Sequence, residues 1–154
     1  MPKIDVTALP FVPRGGYPPP HDKLVAGRSR KRLGDEAGLT QFGINLTMLT
    51  PGAFSSLRHW HENQDEFVFL IEGELTLIED EGETVLRPGD AAGFKAGVPN
   101  GHCLINRSCD DAIYLEIGTR AARERVDYPD IDMRLERDES GGRFLHKSGE
   151  PYPG

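Results

Sequence analysis

Three histidines and one carboxylate have the types and spacing of a metal-ligand set. His59 and His61 flank Trp60, Glu66 comes five residues after His61, and His102 follows later in the chain. Alternate residues of an extended strand point to one face, so both imidazoles of a 59–61 strand aim the same way. The polar stretch Glu62-Asn63-Gln64-Asp65 is a turn that brings Glu66 back beside them. Gly89 and Gly97 bracket a further reversal that carries His102 to the same inner face. Three imidazoles and a carboxylate suit one divalent transition metal, with Zn, Mn, Fe and Ni all compatible. A six-coordinate ion held by four ligands keeps two positions for water or a chelating substrate. Asn106 is the candidate partner for the outward N–H of a ligating ring.

Other reactive side chains surround this set. Lys95 precedes the last histidine in a turn and is a candidate contact for an anionic substrate. Tyr114 and Glu116 share one strand face. An inward Tyr114 would serve as pocket acid or hydrogen-bond donor, and the alternative is that it caps the core. Glu66 itself is a candidate base if the metal holds it loosely. Arg58 shares the face of Trp60, away from the histidines, so a structural ion pair is expected for the one and barrel packing for the other. His21 and His146 belong to no motif and are expected to be surface or packed residues. The run Arg28-Ser29-Arg30-Lys31-Arg32 reads first as a solvated edge strand or turn, and second as an anion contact at a pocket mouth. The acidic run 79–83 reads as a solvated hairpin tip.

The elements that position these groups are strands. Residues 43–49 alternate apolar and polar, the period of a half-buried strand. Phe54 to His61 is extended. The apolar run that follows Glu66 (Phe67-Val68-Phe69-Leu70-Ile71) predicts a strand covered on both faces. Short strands are expected again at 75–78, 84–86, 92–95, 102–105 and 112–117, separated by Gly, Pro and Asp turns. Seven or eight such strands predict an all-β sandwich or barrel. Residues 1–20 carry six prolines, which cannot form a helix or a central strand, and predict an extended arm on this domain or on a neighbouring subunit. After Gly118, residues 119–126 predict one or two helical turns, and 131–147 a two-stranded excursion around Ser140-Gly141-Gly142.

The chain of 154 residues is expected to form a single domain: an arm with edge strands (1–39), a barrel core (40–118) and a C-terminal extension (119–154). Its 18 glycines and 12 prolines favour short strands and tight turns. A net charge of −7 argues against nucleic-acid and membrane-surface binding, which want a basic face. No run of apolar residues is long enough to span a bilayer, and the N-terminus lacks a secretory apolar core, so a cytoplasmic location is expected. That compartment keeps thiols reduced, so Cys103 reads as a small core hydrophobe and a 103–109 disulfide is the lesser reading.

These residues resemble the two motifs of the cupin superfamily. In the first, Gly52 is followed by His59-Trp60-His61, four residues, Glu66, six residues and Gly73. In the second, Gly89 is followed by five residues, Lys95-Ala96-Gly97, four residues, His102, three residues and Asn106. The chain departs from the usual pattern by one extra residue after Gly52, by Lys95 in place of proline, and by two extra residues before His102. Strict spacing would put Asn100 in the ligand position, but His102 keeps the correct distance to Asn106 and is the favoured ligand. The resemblance covers about residues 40–118. It implies a double-stranded β-helix (jelly-roll) barrel with a metal in its mouth, and commonly a homodimer paired through sheets.

Segments 94–106 and 127–132, with a late His146-Lys147-Ser148-Gly149-Glu150-Pro151-Tyr152, are similar to small cupins assigned to sugar-phosphate isomerisation. Three functions follow as expectations. The first is a metal-dependent isomerase or epimerase of a small anionic or polyhydroxy substrate. The second is an Fe(II)-dependent dioxygenase. The third is a non-catalytic module that binds a small ligand.

Overall fold

The computed structural model describes residues 2–13 and 15–153. In chain order its strands are β1 (Val12–Pro13), β2 (Arg28–Arg32), β3 (Phe42–Leu49), β4 (Trp60–His61), β5 (Glu66–Glu72), β6 (Leu75–Glu79) and β7 (Gly82–Leu86). Then come β8 (Ala91–Phe94), β9 (Cys103–Ile105), β10 (Ala112–Thr119), β11 (Glu124–Tyr128), β12 (Met133–Asp138) and β13 (Gly141–Leu145). A single helical turn, α1 (Leu33–Glu36), links β2 to β3. The strands form a six-stranded sheet (β1-β2-β3-β10-β5-β8), a three-stranded sheet (β7-β6-β9) and a four-stranded sheet (β13-β12-β11-β4). The fold is a jelly-roll barrel, as the resemblance implied.

Alternation decides what enters the barrel. On β5, Val68 and Leu70 point inward with Glu66. On β10, Ala112, Tyr114 and Glu116 do so, and Thr47 and Leu49 do so on β3. Of these, Leu49, Val68, Leu70, Ala112 and Tyr114 meet Leu75 and Leu77 of β6, Leu86 of β7 and Leu104 of β9 in the main core. A second cluster, Val126, Tyr128 and Met133, fills the space under the four-stranded sheet and takes in Tyr17, Leu57 and Phe144. The inner wall of β2, β3 and β10 is polar where it nears the mouth. Arg30, Thr47 and Tyr114 stand opposite one another across three strands.

Several expectations need correction. β5 is not covered on both faces: Phe67, Phe69 and Ile71 on its outer side are exposed. Residues 28–32 are not a solvated edge. β2 lies between β1 and β3, Arg28 and Ser29 are buried, and Arg30 pairs with Glu116 at 2.6 Å. Residues 119–126 contain no helix, because Glu124–Tyr128 is a strand that pairs with β4 and β12. Helix-forming composition yields there to the chance to close the sheet beside the histidines.

The proline-rich arm packs on the domain. Val12 and Pro13 pair with β2, and the Lys31 ammonium donates to the Val6 carbonyl. Met1 and Arg14, also within the expected arm, lie outside the described residues. The excursion around Ser140 is the β12–β13 hairpin, as expected. No described helix is long and apolar enough to cross a membrane.

Candidate metal centre

The first motif folds as two strands joined by the 62–65 turn, which places His59, His61 and Glu66 at the barrel mouth. One potential ligand atom from each lies within 4.8 Å of the others. His102 joins them through the main chain, since His59 and His102 exchange backbone hydrogen bonds (N···O 3.1 and 2.9 Å). The lengthened segment Val98 to Gly101, two residues longer than usual, therefore does not carry His102 away. It forms the loop in which Asn100 turns outward to donate to Glu79 and accept from the Asp80 amide. Glu66 Oε1 is 2.9 Å from His102 Nε2, 3.0 Å from His61 Nε2 and 3.4 Å from His59 Nε2.

That convergence is informative. A carboxylate oxygen has two lone pairs, so it cannot accept good hydrogen bonds from three rings at once. His59 Nδ1 lies 2.8 Å from the Leu57 carbonyl, which can only accept, so Nδ1 carries the proton. A neutral His59 then turns the bare lone pair of Nε2 toward a carboxylate. One cation between the four groups removes the conflict. Ligand atoms about 2.1 Å from an octahedral ion lie about 3 Å apart when adjacent, which matches the distances from Glu66 Oε1 to His61 and His102, while the group whose ligand atoms all lie within 4.8 Å of one another is His59, His61 and Glu66. The donor set thus fits a divalent metal.

The surroundings hold the rings. His61 Nδ1 faces the Glu124 carboxylate at 3.6 Å, and Glu124 is buried and also accepts from the amides of Asn63 and Arg125. Burial pulls the His61 pKa down, but Glu124 and Glu66 outweigh it and raise the value to about 9. Burial works against the Glu66 charge too, yet the imidazoles crowded against it, His102 foremost, hold its carboxyl well below the ordinary range. His102 stacks on Phe94 with ring centres 3.6 Å apart, and burial lowers its pKa.

Three hollows meet at the cluster. A cavity of about 220 Å³ inside the barrel is lined by Arg28, Arg30, Ser55, Ser56 and Tyr114 together with the ligand set. A pocket of about 210 Å³ on the side of the β8–β9 loop is lined by Trp60, Lys95, Val98 and Asn100 with His61, Glu66 and His102. A third hollow of about 270 Å³ opens between the ends of β3 and β10 and the β12 strand, over His61 and Glu66.

The expected site residues are thus brought together. Lys95 reaches a pocket wall, and Tyr114 faces the inner cavity, fully buried. The phenol of Tyr114 has no hydrogen-bond partner among the described residues, and burial raises its pKa far above the normal value, so it is a donor and not a base. Arg58 makes the expected ion pairs, with Asp130 at 2.7 Å and with Asp80. His146 pairs with Asp132 and stacks on Tyr152, away from the site.

Two expectations fail. Asn106 touches no imidazole. Its amide donates to the carbonyls of Leu49 and Asp110, which pins the β9–β10 loop. Trp60 is only half-buried and lines the loop-side pocket. Sequence reasoning also missed Glu124 and Phe94, and it put the inward placement of Arg28 and Arg30 second to a solvated edge. Glu124 carried no signal because its segment was read as helical. The alternation in 28–32 was available and would have placed Arg28 and Arg30 on one face.

A family model described as a cupin domain matches residues 45–118. The chain is 46% identical to a sugar phosphate isomerase from a cupin superfamily of Silicibacter pomeroyi, covering 99% of this chain and 97% of that one, with a TM-score of 0.94. It is 30% identical to a candidate sugar phosphate isomerase of Acidithiobacillus ferrooxidans, over 82% of this chain and 81% of that one, with a TM-score of 0.75. The polyketide cyclase RemF of Streptomyces resistomycificus shares the fold alone, at 17% identity over 77% of this chain and 79% of that one and a TM-score of 0.64. No curated protein matches the chain.

Proposed function

The chain belongs to the cupin superfamily, and on that premise we propose that it is a metal-dependent isomerase of a small phosphorylated sugar. The observation that carries the metal is the meeting of three imidazole nitrogens on one oxygen of Glu66. His59, His61, His102 and Glu66 hold the ion, and its contribution when bound is to polarise a substrate carbonyl as a Lewis acid. The name carried by the Silicibacter pomeroyi relative supports the substrate class.

This chain's own groups do the rest. Glu66 is ionised at neutral pH, and Oε2, the oxygen not shared by the rings, accepts the proton from the carbon beside the carbonyl and returns it to the former carbonyl carbon, while the hydroxyl proton passes to the carbonyl oxygen. The unpartnered phenol of Tyr114 is the donor available to a substrate oxygen inside the barrel. Arg28 and Arg30 make the inner wall attractive to oxyanions. We place the protein in the cytoplasm, since an exposed free thiol at Cys109 suits a reducing compartment. It acts as a homodimer through the uncovered face of β5.

The test is elemental analysis of untagged protein, wild type beside His61→Ala, followed by proton NMR with aldose phosphates in D₂O. The expected result is about one equivalent of Zn or Mn, lost in the variant, and deuterium incorporation at C2. Iron with oxygen consumption would transfer the protein to the dioxygenase reading. Failure to take up any divalent metal would overturn the proposal.

A further inference from the structure

We infer that the hollow between β3, β10 and β12 is an oxyanion subsite, in which Arg137 holds the phosphate of a substrate whose carbonyl end lies at the metal centre. This rests on the isomerase reading only for the carbonyl end. The hollow is lined by Arg30, Arg120 and Arg137, by Asn45, Gln64 and Thr119, and it has His61 and Glu66 at its base. Two of the three arginines are spoken for. Arg30 pairs with Glu116 at 2.6 Å, and Arg120 pairs with Asp35 at 2.7 Å and donates to the Leu39 carbonyl. The guanidinium of Arg137 makes no ion pair or hydrogen bond among the described residues. Glu116 is taken by Arg30 and Asn45, and Glu66 by the imidazoles. Among the described residues the hollow therefore has one uncommitted cation, of the type whose planar fork matches a phosphate.

Two glycines keep the space open. Gly43 and Gly118 face each other across β3 and β10, and both line the hollow. A Cβ at Gly43 would lie 3.7 Å from the Arg120 guanidinium, and one at Gly118 would lie 3.9 Å from Glu66 Cγ. Both are ordinary contacts, so alanine fits, but a larger side chain at either position projects into the hollow. Its 270 Å³, at roughly 30 Å³ per liquid water, accommodates a phosphate and a few sugar carbons. Lys95, a further cation near the metal set, lies in the separate pocket with Glu79.

Calorimetry with inorganic phosphate and with ribose 5-phosphate, using ribose as the neutral control, tests the assignment on metal-loaded and metal-free protein. Arg137→Gln is expected to weaken both phosphate probes at least tenfold, and Lys95→Gln less than twofold. Gly118→Val is expected to block ribose 5-phosphate while Gly118→Ala binds it normally, with metal content unchanged in both. Unaltered binding by Arg137→Gln, loss confined to Lys95→Gln, or no phosphate binding by the wild type would each overturn the subsite. Phosphate binding that needs Arg137 but comes without isomerisation upholds it, and counts against the isomerase reading alone.

Discussion

At the scale of single residues, Glu124 is the group whose effect is most readily measured. It lies behind His61, buried, with its carboxylate 3.6 Å from Nδ1 of the ring. Partners of this kind raise ligand basicity and set the tautomer. Glu124→Gln should lower metal affinity about 10- to 100-fold in a chelator competition, with an unchanged far-UV spectrum. The two cysteines differ by burial. Cys103 is buried and its pKa is pushed up to about 11 by loss of hydration, whereas Cys109 is exposed. At pH 8 a thiol reagent should titrate one cysteine in the native protein and both in denaturant. Because folding raises the Cys103 pKa, its contribution to stability is intact at neutral pH and is lost as pH climbs through about 11.

The strands and turns obey tighter rules than their compositions suggest. Gly73 ends β5 with φ of +85°, and a Cβ there would lie 2.7 Å from Ala112 Cα and from the Asp111 carbonyl. Both the left-handed backbone and the close approach of β10 demand glycine. Gly73→Ala should cost about 2–4 kcal/mol, read as a lower urea midpoint with an unchanged slope. The helix expected at 119–126 shows the opposite case. Thr119-Arg120-Ala121-Ala122-Arg123 has helical composition, but Val126 and Tyr128 are worth more buried beneath the four-stranded sheet than solvated on a helix. Strand pairing with Trp60 and His61 then follows, and with it the placement of Glu124.

For the molecule as a whole, the outer face of the six-stranded sheet is the unfinished surface. Phe67, Phe69 and Ile71 are 41%, 39% and 48% exposed, and they adjoin Leu115 and Ile117 of β10. An unbroken apolar run is what a strand buried on both sides requires, and a second copy of the chain would supply the missing cover. Light scattering should give twice the 17.0 kDa chain mass, and Phe69→Lys should return it to one chain while metal binding persists. A wild-type monomer at micromolar concentration would exclude this dimer.

Period-two alternation, the turn residues and the histidine spacing were enough to read an all-β sandwich or barrel and to pick out His59, His61, Glu66 and His102 as candidate ligands, because these are local properties of the chain. His102 was reachable by its distance to Asn106, although the loop before it is longer than usual. What only the tertiary structure decided were the contacts between segments far apart in sequence. These are Glu124 behind His61, Phe94 against His102, Arg30 on Glu116, and the hollow that Arg137 shares with Gly43 and Gly118. Each depends on which strands become neighbours, and that choice is made by the burial of whole sheets.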